Sequence, residues 1–597
     1  MKKPIRTLED NQISQLENEV TLLNKKIAKY EAIGLKQNRF GLVWLDVPEA
    51  FEYDVENKLP ILKEVSKLAI RSKDNKPTHL LIEGDNYHAL TCLNYTHKDK
   101  IDVIYIDPPY NTGSDGFKYK DKRILDKFPD GTEVPADHPL RHSYWLSFMK
   151  KRLELSRALL SEQGVIFVSI DENENAQLKL LMDEIFGSEN FIASITVQSN
   201  PRGKQQMKIA TTHEYLLVYG KNINKSQINS EELSNEQVGG YSKVDENNFN
   251  YRELGLRKRG AASRRVDVPN LYYPIYVNPK IGEVALKKDK IFTKEAFPIL
   301  SNGEDGRWRW GKKKFEIDKN RLYGRLVNNQ RWDIFERDYL IKDGEQKGIK
   351  SKSIWDEKEL NYENAKKELK DLFDGKTLFD YPKTVYLIKK VCKIASNSNS
   401  IILDFFAGSG TTGQAVMELN EQDGGKRQFI LITNNDEITN GEKHKIMTDI
   451  CYPRIKKVIN GYNSKQKLGN SAKYFKTAFV GKNNILKADD TDKIELAHNA
   501  GSMLAIAENT LYQVEQNNYW QIFESPKQYT AVYFREEFGK FDDFIKKVRK
   551  FKRPVVIYIF SWEKEFEFNE FEDDKNIKVK TIPQPILEIY KQIYNLI

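Results

Sequence analysis

The spacing of apolar and polar positions changes character several times along the chain. Near the start, Ile13, Leu16, Val20, Leu23, Ile27 and Tyr30 recur at alternating intervals of three and four, which predicts an amphipathic heptad helix over residues 1–35. A helix of that length is marginal alone in water, so its stripe needs a partner, either its own domain or a second copy. From His79 short apolar runs take over, in "HLLIEGDNYHAL", "IDVIYIDPPY", "GVIFVSIDENE" and "HEYLLVYGK", with a helical stretch over 145–160 among them. Strands that end in an acid or a turn and alternate with helices predict an α/β fold, a largely parallel sheet covered on both faces.

Between about residues 221 and 372 this rhythm breaks down and basic and aromatic residues cluster, as expected of an inserted domain. It resumes at "DYPKTVYLIKKVC" and "SIILDFFAGSGTTGQAVMEL", a helix followed by a strand, a Gly-rich turn and another helix. Beyond about residue 461, "YTAVYF", a helical 536–551, "PVVIYIF", "IKVKTIP" and "PILEIYKQIYNL" predict a small α/β unit without a chemical motif. The expected organisation is therefore a heptad helix (1–35), a first sheet half (36–220), an insert (221–372), a second sheet half (373–462) and a C-terminal α/β domain (463–597).

Composition narrows this picture only a little. With 597 residues the chain is too long for one core. A net charge of +9 permits nucleic acid as a partner without demanding it. Cys92, Cys392 and Cys451 lie far apart with no CxxC or Cys/His spacing, which predicts a reduced, metal-free protein. The start "MKKPIRTLED" lacks the apolar core of a signal peptide and no apolar run approaches a bilayer's thickness, so a cytoplasmic location without membrane partners is expected.

Two turns carry candidate chemistry. In "LDFFAGSGTTG", small residues join a strand to a helix, so backbone can approach a ligand closely; a tight structural loop has the same composition. The Lys-Ser/Thr of a triphosphate-binding loop is missing. In "IDVIYIDPPYNTG", Asp107 stands at the end of a strand, followed by Pro108, Pro109 and Tyr110. A rigid turn alone accounts for two prolines. Fixed carbonyl and carboxylate acceptors beside an aromatic face, however, also suit a planar ring bearing an exocyclic amino group, such as adenine.

In "VIYIDPPYNTG" and "FFAGSGTTG", together with "RFGLVWLDVPE", "LLIEGDNYHAL", "RHSYWLSFMKKRL", "GVIFVSIDENE", "THEYLLVYGK", "LRKRG", "NLYYPIYVNP", "GRWRWG", "KSIW" and "FDYPKTV", the chain resembles a known family. It is similar to β-class DNA N6-adenine methyltransferases, and among them to the modification (Mod) subunits of type III restriction-modification systems. The resemblance runs over nearly the whole chain and is least specific in the C-terminal part. It implies a Rossmann-like methyltransferase sheet of circularly permuted motif order with an inserted target-recognition domain. It also implies S-adenosylmethionine as cofactor, double-stranded DNA as substrate, a homodimer and a separate restriction (helicase-nuclease) subunit.

On this resemblance Asp107 and the Pro108 carbonyl would accept the adenine amino group, with Pro109 stiffening the turn and Tyr110 stacking on the ring. Asp404, Phe405, Phe406, Ala407, Gly408 and Gly410 would line the cofactor, and Phe379, Pro382 and Lys383 of "FDYPKT" would close its pocket. Asp85 has a place beside the cofactor. At the end of "QFILITNNDE" an acid for the ribose is expected, but Asn434 stands there with Asp436 two residues on, and either serves as the ribose contact. Asp171 is read as structural; for His213 and Glu214 a family role and a cap explain the residues equally well.

In the insert, Arg257, Lys258, Arg259, Arg264, Arg265, Arg307 and Arg309 are the candidate DNA contacts, with Trp308 and Trp310 set among the basic residues. Competing readings are a solitary methyltransferase, a DNA-binding module with a vestigial site, and an RNA methyltransferase. A neighbouring helicase-nuclease gene, the intact motifs and a DNA-against-RNA acceptor comparison discriminate among them.

Overall fold

Unbroken apolar runs buried on both faces build the centre of the molecule. The computed structural model describes Trp44 and residues 59–112, 142–327, 331–480, 490–534, 538–560 and 571–582, apart from 73, 75, 204–207, 343, 441 and 572. The expected heptad helix over 1–35 and the closing "PILEIYKQIYNL" lie outside the described residues.

The strands of the main sheet are β1 (Leu59–Glu64), β2 (Thr78–Glu83), β3 (Ile101–Ile106), β4 (Leu160–Ile170), β5 (Phe191–Val197), β6 (Glu214–Gly220), β7 (Ile354–Trp355), β8 (Ile401–Asp404), β9 (Gln428–Thr433) and β10 (Ser471–Val480). They form a ten-stranded sheet in the order β1-β10-β2-β9-β8-β3-β4-β6-β5-β7. From β10 to β4 all neighbours are parallel, and β6 turns antiparallel to β4.

Alternation along each strand divides its side chains between two cores. Leu80, Ile82, Ile104, Ile106, Ile166, Val168, Leu403 and Ile430 face one core, which receives α1 (Asn86–Thr96), α2 (Ser143–Leu159) and α3 (Asn175–Phe186). Leu81, Val103, Phe167, Ile402, Phe429 and Leu431 face the other, covered by α4 (Tyr362–Leu372), α5 (Val385–Ala395), α6 (Thr411–Asp423) and α7 (Tyr452–Asn460). Each fully buried Leu, Ile or Phe contributes about 1.5–3 kcal/mol, so these two cores hold the sheet against the entropy of the chain.

Two connections fix the site. β8 leads into α6 on one face and β3 leads towards α2 on the other, although β8 and β3 are neighbours. The point where outgoing connections part lies between their carboxyl ends, and there a doubly wound sheet opens a crevice. Asp404 ends β8 and Asp107 follows β3, so both stand at the carboxyl ends of neighbouring strands.

The insert forms a separate compact unit over 229–351. A four-stranded antiparallel sheet runs in the order Leu322–Val327, Arg331–Tyr339, Asn250–Gly255, Lys243–Val244, and its core contains Leu256, Tyr273, Trp308, Trp310, Phe315 and Ile334.

Three boundaries differ from expectation, the first being the start of the insert unit at 229 instead of 221. Residues 352–372 belong to the main unit, not to an insert ending at 372: Ile354 and Trp355 pair with β5, and Leu369 and Leu372 of α4 enter the second core. The C-terminal part does not separate at 463 either, because β10 lies between β1 and β2. α8 (Asp490–Ala507) adds Met503 and Leu504 to the first core, and Val532, Val556 and Tyr558 join them. These last residues belong to a five-stranded sheet with a core of its own around Trp520, Phe544 and Ile557. α8 covers its other apolar face and itself packs on α1 and β1. Among the described residues no helix is long and apolar enough to cross a membrane.

Candidate active site

The turn after β3 is held from several sides. The Trp145 indole N–H of α2 donates to the Pro109 carbonyl at 2.8 Å. Asn111 takes the left-handed conformation, φ 57°, that asparagine tolerates better than most residues. Its amide donates to the buried Glu174 carboxylate at 2.5 Å, and Glu174 also faces His142 Nδ1 at 2.7 Å.

Asp107 is the centre of a charged cluster. The Tyr110 hydroxyl lies 2.7 Å from Asp107 Oδ1 and 3.2 Å from Glu214 Oε2. Lys383 Nζ reaches the Tyr110 hydroxyl at 2.7 Å, Glu214 Oε2 at 3.0 Å and Asp107 Oδ1 at 3.1 Å. Burial pulls the Lys383 ammonium down, but the Asp107 and Glu214 carboxylates more than offset this, and it is held above its ordinary range. Burial, reinforced by the same two acids, pushes the Tyr110 hydroxyl well above its own. Tyr110 is therefore a neutral donor and Lys383 a cation at neutral pH.

The Gly-rich turn after β8 is a close-fitting cradle. Gly408 and Gly410 have φ of +49° and +79°; a Cβ on Gly410 would sit 3.0 Å from Cys451 Sγ, and one on Gly408 3.3 Å from Phe379 Cζ. Asp404 accepts the Phe406 N–H at 3.0 Å and the Thr412 hydroxyl at 2.6 Å. Burial pushes its carboxyl up to about 7, against these hydrogen bonds. Behind the turn the buried Arg454 donates to Ser409 Oγ at 3.1 Å, Thr411 Oγ1 at 2.8 Å and Gln414 Oε1 at 2.9 Å. Phe405 and Ala407 are buried, and Phe406 packs 5.8 Å from Phe148, ring to ring. A bare backbone cradle with a buried acid fits S-adenosylmethionine, which carries a sulfonium and an α-ammonium.

The remaining expected residues fall in different places. Asp85 caps α1 through the Tyr87 N–H at 2.8 Å and pairs with Arg152 at 3.3 Å, while neighbouring Asn86 donates to the Phe405 carbonyl at 2.9 Å. Asn434 donates to Asp436 at 2.5 Å beyond β9. Phe379 lies beside Gly408 and Pro382 is buried, but Lys383 turns to Asp107 instead of the glycine turn. Asp171 accepts the Asn173 N–H at 2.9 Å, a local turn contact, and His213 lies 3.2 Å from the Tyr215 hydroxyl. Glu214 is the member of that pair that enters the site. Trp145, Glu174, Thr412 and Arg454 are additions that no local pattern marks. Among the described residues no cluster of His, Cys, Asp and Glu is arranged to hold a metal.

In the insert the basic residues divide. Arg265 pairs with Asp305 at 2.9 Å and stacks on Tyr272, Arg309 pairs with Glu336 at 2.7 Å, and Arg264 lies 4.0 Å from Asp267. Arg257 donates to the Ile299 carbonyl and Arg307 to that of Ala262 at 2.5 Å. Lys258 and Arg259 have no ion pair among the described residues. Trp308 and Trp310 are buried, and the Trp308 indole donates to the Tyr273 carbonyl at 2.8 Å, so the two rings are core instead of a stacking platform.

Known proteins share this sequence pattern. A family model described as DNA methylase matches residues 101–445. The EcoPI Mod subunit, from a type III restriction-modification enzyme of Escherichia phage P1, is 34% identical over 464 residues, covering 73% of this chain and 70% of that protein. Type II methyltransferase M.KpnI of Klebsiella pneumoniae is 38% identical over 361 residues, 60% of this chain and 80% of that one. The type III StyLTI Mod subunit of Salmonella typhimurium is 32% identical over 469 residues, 73% of this chain and 66% of the other.

Proposed function

This chain belongs to the DNA methylase family, and from that premise we propose that it methylates adenine N6 within a specific sequence of duplex DNA, as the modification and specificity subunit of a type III restriction-modification system. The observation that carries the chemistry is the adjacency of Asp107 and Asp404 at the ends of the neighbouring strands β3 and β8. The similarity to two type III Mod subunits carries the assembly.

S-adenosylmethionine supplies the methyl group. Asp404, Phe405, Phe406, Ala407, Gly408 and Gly410 would hold it, with Phe379 and Pro382 closing over the glycine turn and Asp85 and Asn434 at the rim. Asp107 and the Pro108 carbonyl accept the N–H groups of the target amine and so aim its lone pair, while Tyr110 flanks the ring. Because the neutral amine is already a nucleophile, these residues act by position and electrostatics and need no metal. A base in a duplex reaches such a turn only when flipped out, at a cost of a few kcal/mol that contacts to DNA must offset. Lys258 and Arg259 are the first candidates for those contacts, followed by Arg257, Arg264, Arg265, Arg307 and Arg309.

A homodimer and a separate helicase-nuclease subunit complete the proposed assembly. Deleting residues 1–32 tests whether the heptad stripe carries self-association, read by light scattering. The 38% identity to M.KpnI favours a second reading, a DNA methyltransferase that acts outside a type III complex. The deciding experiment is methylation-sensitive sequencing of DNA from a methylation-free host expressing the chain or its Asp107→Ala variant. N6-methyladenine at one short motif, absent from the variant, supports the proposal; one-strand modification favours the type III reading and two-strand modification the second.

A further inference from the structure

Lys383 Nζ donates to the Tyr110 hydroxyl at 2.7 Å and to Glu214 Oε2 at 3.0 Å, and it forms an ion pair with Asp107 Oδ1 at 3.1 Å. All three contacts lie on the Asp107 side of the site, although Phe379, four positions earlier, borders the glycine turn. Glu214 comes from β6 and Asp107 from the end of β3, with β4 between them in the sheet, so the cation bridges acids that the backbone does not join. On Asp107 both contacts fall on Oδ1. Oδ2 has no partner among the described residues.

We propose that Lys383 and Glu214 are positioning residues of the acceptor-base half of the site: Glu214 anchors the ammonium, which pins Asp107 through Oδ1 and leaves Oδ2 and the Pro108 carbonyl as the acceptor pair for the target amino group. This rests on the adenine N6 reading above. The geometry also explains why two acids and one base stand together. Without the cation, Asp107 loses one of its two anchors and stands against Glu214 with nothing between the two negative charges, and a proton taken up by Asp107 would turn an acceptor of the target amino group into a donor. Glu214 thus acts on the reaction through Lys383, and Lys383 acts through Asp107.

The test uses the full chain and its Lys383→Met, Lys383→Arg and Glu214→Gln variants, each checked for an unchanged melting profile. S-adenosylmethionine affinity is measured by calorimetry without DNA, and kcat and its pH profile with target DNA. Expected for Lys383→Met are a cofactor Kd within about twofold of wild type and a kcat at least about 100-fold lower, the scale of a small misplacement of a reacting group. The acid limb of its rate profile should move to higher pH as two carboxylates share a proton. Lys383→Arg, which keeps the charge, should recover part of the rate, and Glu214→Gln should fall between. A cofactor Kd weakened tenfold or more, with kcat kept at saturating cofactor, overturns the assignment and puts Lys383 in the cofactor pocket. Full activity of Lys383→Met overturns it too. A wild-type chain that methylates no adenine removes the adenine reading and this inference together, whereas an active wild type with an unimpaired variant removes only the inference. If Lys383→Met does not fold, the charge-preserving Lys383→Arg decides, through the same split between Kd and kcat.

Discussion

Asp404 offers a quantitative handle on the proposed cofactor half of the site. Burial pushes its carboxyl up to about 7 from an ordinary value of 3.8. Between those two pH values the folded protein keeps a proton that the unfolded chain has released. The contribution of Asp404 to stability is therefore greatest below about pH 4, falls as the pH rises, and levels off above about 7. Each tenfold gain in proton affinity corresponds to about 1.4 kcal/mol, so the full swing is on the order of 4 kcal/mol. In Asp404→Asn an uncharged side chain of the same shape can still accept the Phe406 N–H and can donate to the Thr412 hydroxyl. The variant should lose the downward slope and be at least as stable as wild type at pH 8. The assay is the melting temperature of wild type and variant from pH 5 to pH 8.5 without cofactor. Parallel curves would refute the reasoning, because they would mean that Asp404 does not titrate in this range. The same sign carries over to ligand binding. A cationic cofactor favours the ionised carboxyl, so S-adenosylmethionine binding near pH 6.5 should release a proton and weaken by up to about tenfold for each pH unit that the pH falls below 7. Calorimetry in buffers of different ionisation enthalpy reads that proton directly.

Other perturbations separate the parts of the molecule. Gly410→Ala sets a Cβ 3.0 Å from Cys451 Sγ at φ +79°, so it should destabilise by about 1–3 kcal/mol and weaken cofactor affinity, read by melting and calorimetry. Arg454→Met strands Ser409, Thr411 and Gln414 behind the cradle; a loss of about 3 kcal/mol on urea unfolding is expected, with cofactor affinity reduced more than DNA affinity. The double substitution Lys258→Ala and Arg259→Ala should weaken DNA binding evenly across sequences, lower the salt dependence by about two counterions, and leave S-adenosylmethionine affinity unchanged.

The sequence showed most clearly what depends on near neighbours. Apolar runs such as "VIYI" and "IILD" ended where expected, and the two turns that follow them stand side by side. Lys383 shows where such reading stops. Its neighbours Phe379 and Pro382 suggested the cofactor, but its partner Asp107 is 276 positions away and is found only by the packing of α5 against the sheet. The insert shows the same for charge. Its basic runs are plain in the sequence, whereas Glu253, Glu336 and Asp338 each hold two cations from distant positions, Lys243 with Arg325, Arg309 with Arg321, and Arg252 with Lys347. Many of those positive charges are therefore already balanced within the unit. For β10, the alternation in "SAKYFKTAFV" suits an edge strand as well as an interior one, so its place between β1 and β2 had no local signal.

The interrupted order of the chain follows from one strand pair. Val103 and Ile104 of β3 lie opposite Ile402 and Leu403 of β8 in parallel register. Side chains alternate between faces, so a slip of one residue would send Val103 and Ile402, now in one core, to opposite faces and expose the mismatch to both helical layers. Packing on both sides therefore fixes the register, and the register fixes how far Asp107 stands from Asp404. What happens between residues 229 and 351 does not enter that chain of causes, because the insert has its own core. A sheet that assembles its site from two non-adjacent segments in this way can carry a long insertion between them without disturbing the chemistry. That separation lets the insert, the proposed DNA-reading surface, vary while the Asp107 turn and the Asp404 cradle stay in place.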